Sequence, residues 1–244
     1  MFAADVSMPA PGGKIVEGVE AATQLLRASP ENAVARAEWR PIRAGISADG
    51  LHGFTFGYGT LTRPDSSRVP WKYLSYWVKG PSGWRVVAYR RSDRADSAVS
   101  TARMPPTLPA ALVAPADSRT VEAYRASLDQ AERSFSDEAQ RVGLEAAFVK
   151  WGRADAVNLG GPSAGFVFGA EAIGATVSEG NPPGGSPVSW APNRVVVAES
   201  GDLGVSIGVI RPNQAPPSGP SRGYSFFTVW YRATPSDPWR YIAE

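Results

Sequence analysis

The stretch "WAPNRVVVAESGDLGVSIG" at 190–208 carries the punctuation of an earlier one, "WRPIRAGISADGLHGFTFG" at 39–57. Laying Trp39 on Trp190 pairs Pro41 with Pro192, Arg43 with Arg194, Gly50 with Gly201, Gly53 with Gly204 and Gly57 with Gly208. No gap is needed, because the offset is a constant 151 (39 to 190, 57 to 208). Outward from this register, Trp77 falls on Trp230 and "WRVVA" at 84–88 falls on "WRYIA" at 239–243. Upstream, "AADVSMPAPGGKIVEGVEAA" at 3–22 resembles "RADAVNLGGPSAGFVFGAEAI" at 153–173. The chain is a diverged duplication.

Within the repeated phrase, apolar and small residues alternate at period two in "GFTFGYG" (53–59) and "GVSIGV" (204–209), which predicts strands. Phe54, Phe56 and Tyr58 share one face, as do Val205, Ile207 and Val209. Gly53 and Gly57, with Gly204 and Gly208, take the other face, where a missing side chain lets a strand bend or another backbone come close. "ADG" and "ESGD" supply the turns to the preceding strands. Two more strands follow in each copy: "KYLSYWVK" (72–79) turning into "WRVVAYR", and "YSFFTVWYR" (224–232) turning into "WRYIAE". Their third strands are apolar on both faces, with Tyr73 and Trp77 against Leu74, Tyr76 and Val78, and Phe226 and Trp230 against Phe227, Val229 and Tyr231. A sheet with one wetted side does not read this way. One face is expected to cover helices, and the other requires a second cover.

Helical spacing appears in "SRTVEAYRASLDQAERSFSDEAQRVG", where Val121, Tyr124, Leu128, Ala131 and Phe135 form a stripe and Gly143 suits a C-terminal cap. "LEAAFVKW" predicts a second helix with Leu144, Ala147, Phe148 and Trp151 inward, and shorter helices are expected at 18–26 and 169–177. The stretch 93–116 is small, polar and Pro-rich, and reads as a linker. The expected division is therefore a first repeat at 1–92, a linker at 93–116 and a second repeat at 117–244, the first lacking its N-terminal helix.

Hydrophobic residues make up 43% of the 244 and charged residues 20%, with 8 Trp, 8 Tyr and 9 Phe, enough apolar material for packed cores. The formal net charge of +2 arises from Arg scattered among acids rather than from a basic stripe, which argues against a nucleic-acid partner. The absence of Cys removes disulfides, thiolate metal sites and Cys nucleophiles. There is no run of 18 apolar residues, so no membrane span is expected, and "MFAADVSMPAPGG" lacks the regions of a signal peptide.

The order "AERSF", "GLEAAFVKWGRADAVNL", "SWAPNRVVVAESGDLGVSIG", "FFTVWYR", "WRYIAE" resembles the nuclear transport factor 2-like superfamily, and within it the bacterial SnoaL-like and ketosteroid-isomerase-like proteins of unassigned function. The resemblance covers 117–244 fully and 2–92 partly. It implies an α+β fold of two cone-shaped, cystatin-like domains. In each, a bent antiparallel sheet wraps helices on its concave face around an apolar pocket, and outer sheet faces often pair. The expectation is that the two copies press those outer faces together as an intrachain pseudo-dimer. The first copy starts without the long helix, so its cone is open or the chain continues upstream of Met1; the latter is expected, and export with it if a signal lies there.

Candidate chemistry is sparse. "GPSAG" at 161–165 matches G-x-S-x-G with Ser163 as nucleophile, but such a hydrolase needs a later His, and the only His is His52. "PGGK" at 11–14 lacks the first Gly of a phosphate loop, Met8 standing there, and has Ile15 in place of Ser or Thr; it reads as a turn. His52 alone makes no zinc site and reads as structural or solvent-facing. Asp5 and Asp155 read as turn residues before a strand, and Arg43 and Arg194 as partners of a neighbouring acid. In relatives of this fold the acid-base group lies inside the apolar cone. The positions after each Asp (Val6, Ser7, Met8, Pro9, Ala10; Ala156, Val157, Asn158, Leu159, Gly160) hold no acid, and Glu199, Asp202 and Glu244 read as exposed. No catalytic residue, metal site or cofactor is therefore expected. Pocket candidates are Tyr124, Phe135, Phe148, Trp151, Asp155, Phe226, Trp230 and Tyr241. The function expected is non-catalytic binding of a small apolar molecule, or service as an interaction module. The alternatives are an isomerase, cyclase or dehydratase acting in the second cone, and a structural scaffold with filled pockets.

Overall fold

In the computed structural model the described residues are 1–10, 12–161, 165–181, 184–214 and 223–244. Ser163 of the G-x-S-x-G match and Pro11 of "PGGK" lie outside them. The order is β1 (Phe2–Ala10), β2 (Lys14–Glu17), α1 (Val19–Arg27), α2 (Pro30–Val34), β3 (Arg36–Ile46), β4 (His52–Thr62), β5 (Arg68–Gly80) and β6 (Gly83–Asp93). Then come α3 (Ser118–Val142), α4 (Leu144–Trp151), β7 (Gly152–Asn158), β8 (Val167–Phe168), α5 (Ala170–Ser178), β9 (Val188–Val197), β10 (Leu203–Pro212), β11 (Tyr224–Tyr231) and β12 (Arg240–Ala243).

Two six-stranded sheets result, ordered β2-β1-β6-β5-β4-β3 and β8-β7-β12-β11-β10-β9, the same topology twice. Each is antiparallel except for one parallel pair, β1 with β6 and β7 with β12. Asp5 and Asp155 therefore lie inside strands β1 and β7, not in the turns the sequence suggested. The turns between β3 and β4 and between β9 and β10 place Gly50 and Gly201 at φ 71° and 70°, a left-handed conformation that favours glycine.

The glycine faces behave as their pattern implies. A Cβ on Gly57 would strike the Arg40 carbonyl, and one on Gly208 the Ala191 carbonyl. The register slips beside both, between Pro41 and Arg43 and between Ile207 and Gly208, and such bulges bend a strand. Helix α3 starts on Asp117, whose carboxylate accepts from Thr120 N at 3.0 Å, and stops at Gly143 with φ 94°. Its inward residues include Leu128, Ala131, Phe135 and Ala139, packed with Trp190, Phe226, Trp230 and Tyr241 of the second sheet.

Alternate residues of the same strands face the opposite way, into a core built from both repeats. Phe54, Phe56, Leu74 and Tyr76 of the first meet Val205, Ile207, Phe227 and Val229 of the second in one buried cluster. Arg43 donates to Asp155 Oδ2 at 2.5 Å and to Asp155 O at 2.8 Å, and Arg194 holds Asp5 in the same manner. Asp202 accepts from Ala48 N and Asp49 from Ser200 N, each at 2.9 Å, so Asp202 is buried at this boundary rather than exposed. His52 is buried here too, its Nδ1 3.0 Å from the Tyr76 hydroxyl. The segment between β6 and α3 runs along β3, with Thr107 N donating to Ala44 O at 2.9 Å and Thr107 O accepting from Ile46 N at 3.0 Å. It caps an edge that would otherwise present unpaired backbone groups.

Candidate functional site

The helix-covered side of the second sheet holds a partly open cavity of about 250 Å³. Phe135, Leu144, Phe148, Trp190 and Phe226 give it apolar walls, and Glu132, Asn158, Glu244 and Arg90 give it polar ones. Arg90 comes from β6, so the first repeat contributes to the second repeat's cavity.

Glu132 sits on the apolar stripe of α3, four residues after Leu128 and three before Phe135, and its carboxylate is fully engaged. Trp190 Nε1 donates to Oε1 at 2.7 Å, while Trp230 Nε1 at 3.0 Å and the Ser206 hydroxyl donate to Oε2. Burial nevertheless pushes its carboxyl up to about 7, against the lowering effect of the bonds from Ser206, Trp190 and Trp230. Glu244 follows β12 directly and turns its carboxyl inward. Asn158 Nδ2 donates to its Oε1 at 2.7 Å, and the other oxygen has no hydrogen-bond partner among the described residues. Burial pushes this carboxyl up to about 7 as well. The Asn158 bond opposes that rise, Glu132 adds to it, and Arg90 opposes it. Burial also lowers the Arg90 guanidinium, which the charge of Glu244 counters. The arrangement supplies one fixed acid, one acid with an unengaged oxygen, an amide and a cation in the lining of a mostly apolar cavity.

Of the eight pocket candidates, Phe135, Phe148 and Phe226 line the cavity. Trp230 and Tyr241 are fully buried one layer behind it. The first holds Glu132, and the second stacks on Phe135 and donates to the Phe148 carbonyl at 2.8 Å. Trp151 packs on Phe135 and donates to Glu138 at 3.2 Å. Tyr124 lies elsewhere, against Gly201 and under the Arg232 guanidinium, and Asp155 is at the repeat boundary with Arg43 and Arg153.

The residues that sequence reasoning missed are Glu132, Glu244, Asn158 and Arg90. Glu132 was findable, since it interrupts an apolar stripe at stripe spacing. Glu244, read as exposed, is half-buried and lines the cavity because β12 pairs with β11 and β7 inside the sheet.

In the second repeat a long helix and a short one thus cover one side of a six-stranded sheet, and that side holds this cavity. No family model matches the chain, and no curated protein matches it. Among solved structures it is similar to a ketosteroid isomerase-like protein from Erwinia carotovora atroseptica (14% identity, TM-score 0.31, covering 38% of this chain and 75% of that one). It is similar too to a nuclear transport factor 2-like protein of unknown function from Shewanella oneidensis (13%, 0.31, 38% and 76%). A third is a nuclear transport factor 2-like protein with a cystatin-like fold from Novosphingobium aromaticivorans (16%, 0.31, 40% and 67%). No helix among the described residues is long and apolar enough to cross a membrane.

Proposed function

We propose that the chain is a tandem binding module, with repeats at 1–92 and 117–244 joined by a linker at 93–116 and associated as an intrachain pseudo-dimer. Its second repeat takes up one small, largely apolar molecule bearing a single polar group. The observation that carries this reading is the make-up of the cavity, lined mostly by aliphatic and aromatic side chains with Glu244 bonded to Asn158 and facing the charge of Arg90. Ligand sites combine apolar walls with a few converging polar groups, and a volume just under the roughly 300 Å³ at which such sites commonly begin selects a compact ligand. Glu132 belongs to the frame, since its oxygens are engaged. Glu244 has the oxygen left over for the ligand's donor.

A second reading rests on the pKa of Glu244. A carboxyl at about 7 among apolar walls can both take and return a proton near neutral pH, which suits an isomerase, cyclase or dehydratase. Native mass spectrometry of the protein purified from its source cells tests the first reading. A retained small apolar molecule that Phe226→Trp displaces is the expected result, and bare protein mass in repeated preparations counts against it. Conversion of that molecule on incubation, lost in Glu244→Gln, would decide for catalysis.

A further inference from the structure

The second repeat's cavity takes its cations from the first repeat. Arg90 of β6 lines it, and Lys72 of β5 stands just outside the lining, where a Cβ on Gly160 would lie 3.8 Å from Lys72 Nζ. The two cations differ in what they hold. Lys72 Nζ donates to the carbonyls of Gly161 at 2.7 Å and Gly165 at 3.1 Å, so its ammonium fastens the segment between β7 and β8. The partly buried Arg90 guanidinium makes no hydrogen bond and no ion pair among the described residues. A guanidinium is a rigid fork of N–H donors that matches a carboxylate, and leaving it unbonded away from water costs free energy that a bound anion recovers.

In the same lining, Glu244 Oε1 accepts from the Asn158 amide and Oε2 has no partner among the described residues. Glu244 and Arg90 act on each other through charge but form no ion pair. The cavity therefore offers one unspent cation and one unspent carboxyl oxygen among Phe135, Phe148, Trp190 and Phe226. A permanently charged anion satisfies the cation and is repelled by Glu244 when that group is ionised. An amine satisfies Glu244 and is repelled by Arg90. A carboxylic acid group serves both, since one oxygen accepts from the guanidinium while a single proton is shared with Glu244. Two carboxyls at close range keep a proton between them because both cannot ionise there. Burial, which already favours the protonated form of Glu244, acts in the same direction. As for size, a cavity of about 150 Å³ accepts benzene, so about 250 Å³ leaves room for a ring and a short acid arm.

We propose that the molecule taken up by this cavity is a compact apolar monocarboxylic acid, its aryl or branched chain among the aromatic side chains and its carboxyl group held by Arg90 and by Glu244 Oε2. The first repeat thereby supplies the anchor of the second repeat's site. The inference rests on the binding reading above and adds the ligand's chemical class to it.

Phenylacetate, phenylacetamide and 2-phenylethylamine share a ring and an arm and differ in the end group, so they serve as probes for titration calorimetry with the full chain at pH 6. Phenylacetate is expected to bind saturably, at least about tenfold more tightly than either of the others, as a charge-assisted bond exceeds a neutral one. Arg90→Met keeps an unbranched stem, drops the guanidinium and is expected to weaken phenylacetate about tenfold or more. From pH 6 to pH 8 phenylacetate binding should weaken about fivefold or more as Glu244 loses the shared proton, Glu132 of α3 and Arg90 of β6 being the charged groups that act on it. Glu244→Gln, whose amide donates at every pH, should flatten that dependence. Phenylacetamide binding as tightly as phenylacetate overturns the acid and leaves the cavity a binding site. Phenylacetate binding indifferent to Arg90→Met places it elsewhere and overturns the proposal, and if that variant does not fold, the comparison of acid with amide on the unaltered chain decides alone. Absence of phenylacetate binding overturns it too, while the native mass spectrum still decides the binding reading by itself.

Discussion

Arg43 and Asp155 face each other across the repeat boundary at 2.5 Å, and Arg194 and Asp5 repeat the relationship from the other side. Reciprocal contacts of this kind belong to an isologous interface, in which one patch meets its own copy. The two pairs are not equal in burial. The Arg43 side chain is 5% exposed and that of Asp155 42%, whereas Arg194 is partly exposed and Asp5 largely so.

Removing Asp155 should therefore cost more than removing Asp5. Asp155→Ala leaves a nearly buried guanidinium with only Thr107 and a carbonyl for company. Discounted for the exposure of the carboxylate, the expected loss is about 2–3 kcal/mol. Asp5→Ala should lose less than about 1 kcal/mol. Urea denaturation of the two variants checks this, and equal losses would show that burial does not rank the pairs. Burial raises the Asp155 carboxyl, but hydrogen bonds from Arg153 and Arg43 and their charges hold it down at about 2. Its contribution is present above the ordinary value of 3.8 and disappears as pH falls from there through about 2.

Glu132 is predicted to stabilise the second core as an acceptor rather than as a charge. Glu132→Ala strands the indole donor of Trp190, leaves that of Trp230 with Ser206 alone and opens a void, at a cost of about 3 kcal/mol. Glu132→Gln keeps one carbonyl oxygen and the volume, and should lose less than half as much. Thermal unfolding of both variants separates the two effects.

The buried acids give the protein an uncommon pH response. Glu132 and Glu244 have folded values near 7 against an ordinary 4.5, so the native state holds protons that the unfolded chain has shed. Their contribution is complete below about pH 4.5 and is lost as pH rises through 7. His52 acts oppositely. Burial, partly offset by the charge of Asp49, lowers it to about 4, so its contribution is present above 6.5 and is lost as pH falls toward 4. Melting temperatures between pH 4 and 8 should therefore gain acid-side stability in His52→Gln and lose the decline toward pH 8 in the Glu132→Gln/Glu244→Gln double variant. Unchanged slopes in both would exclude these groups.

Gly57→Ala and Gly208→Ala should each destabilise by about 1–3 kcal/mol, because the added methyl meets a backbone carbonyl that cannot yield as a side chain tip would. Gly161→Ala, where a Cβ meets nothing, is the control and should be near neutral. Chemical denaturation of the three variants suffices.

Much of this architecture was legible in the chain itself. Period-two alternation around Gly53, Gly57, Gly204 and Gly208 specified strands and their crowded faces, since a residue's side of a strand follows from its parity alone. Gly143 marked the end of α3 by the same kind of local rule. Arg43 and Arg194 were recognisable as needing acids, although which acids remained open.

What the tertiary structure decided is which polar groups are taken from water. Glu244 and Arg90 look like surface charges one at a time. Their surroundings come from segments more than half the chain away, and desolvation depends on that whole enclosure. Periodicity records which side of an element a residue occupies; only the assembled layers determine whether that side is dry.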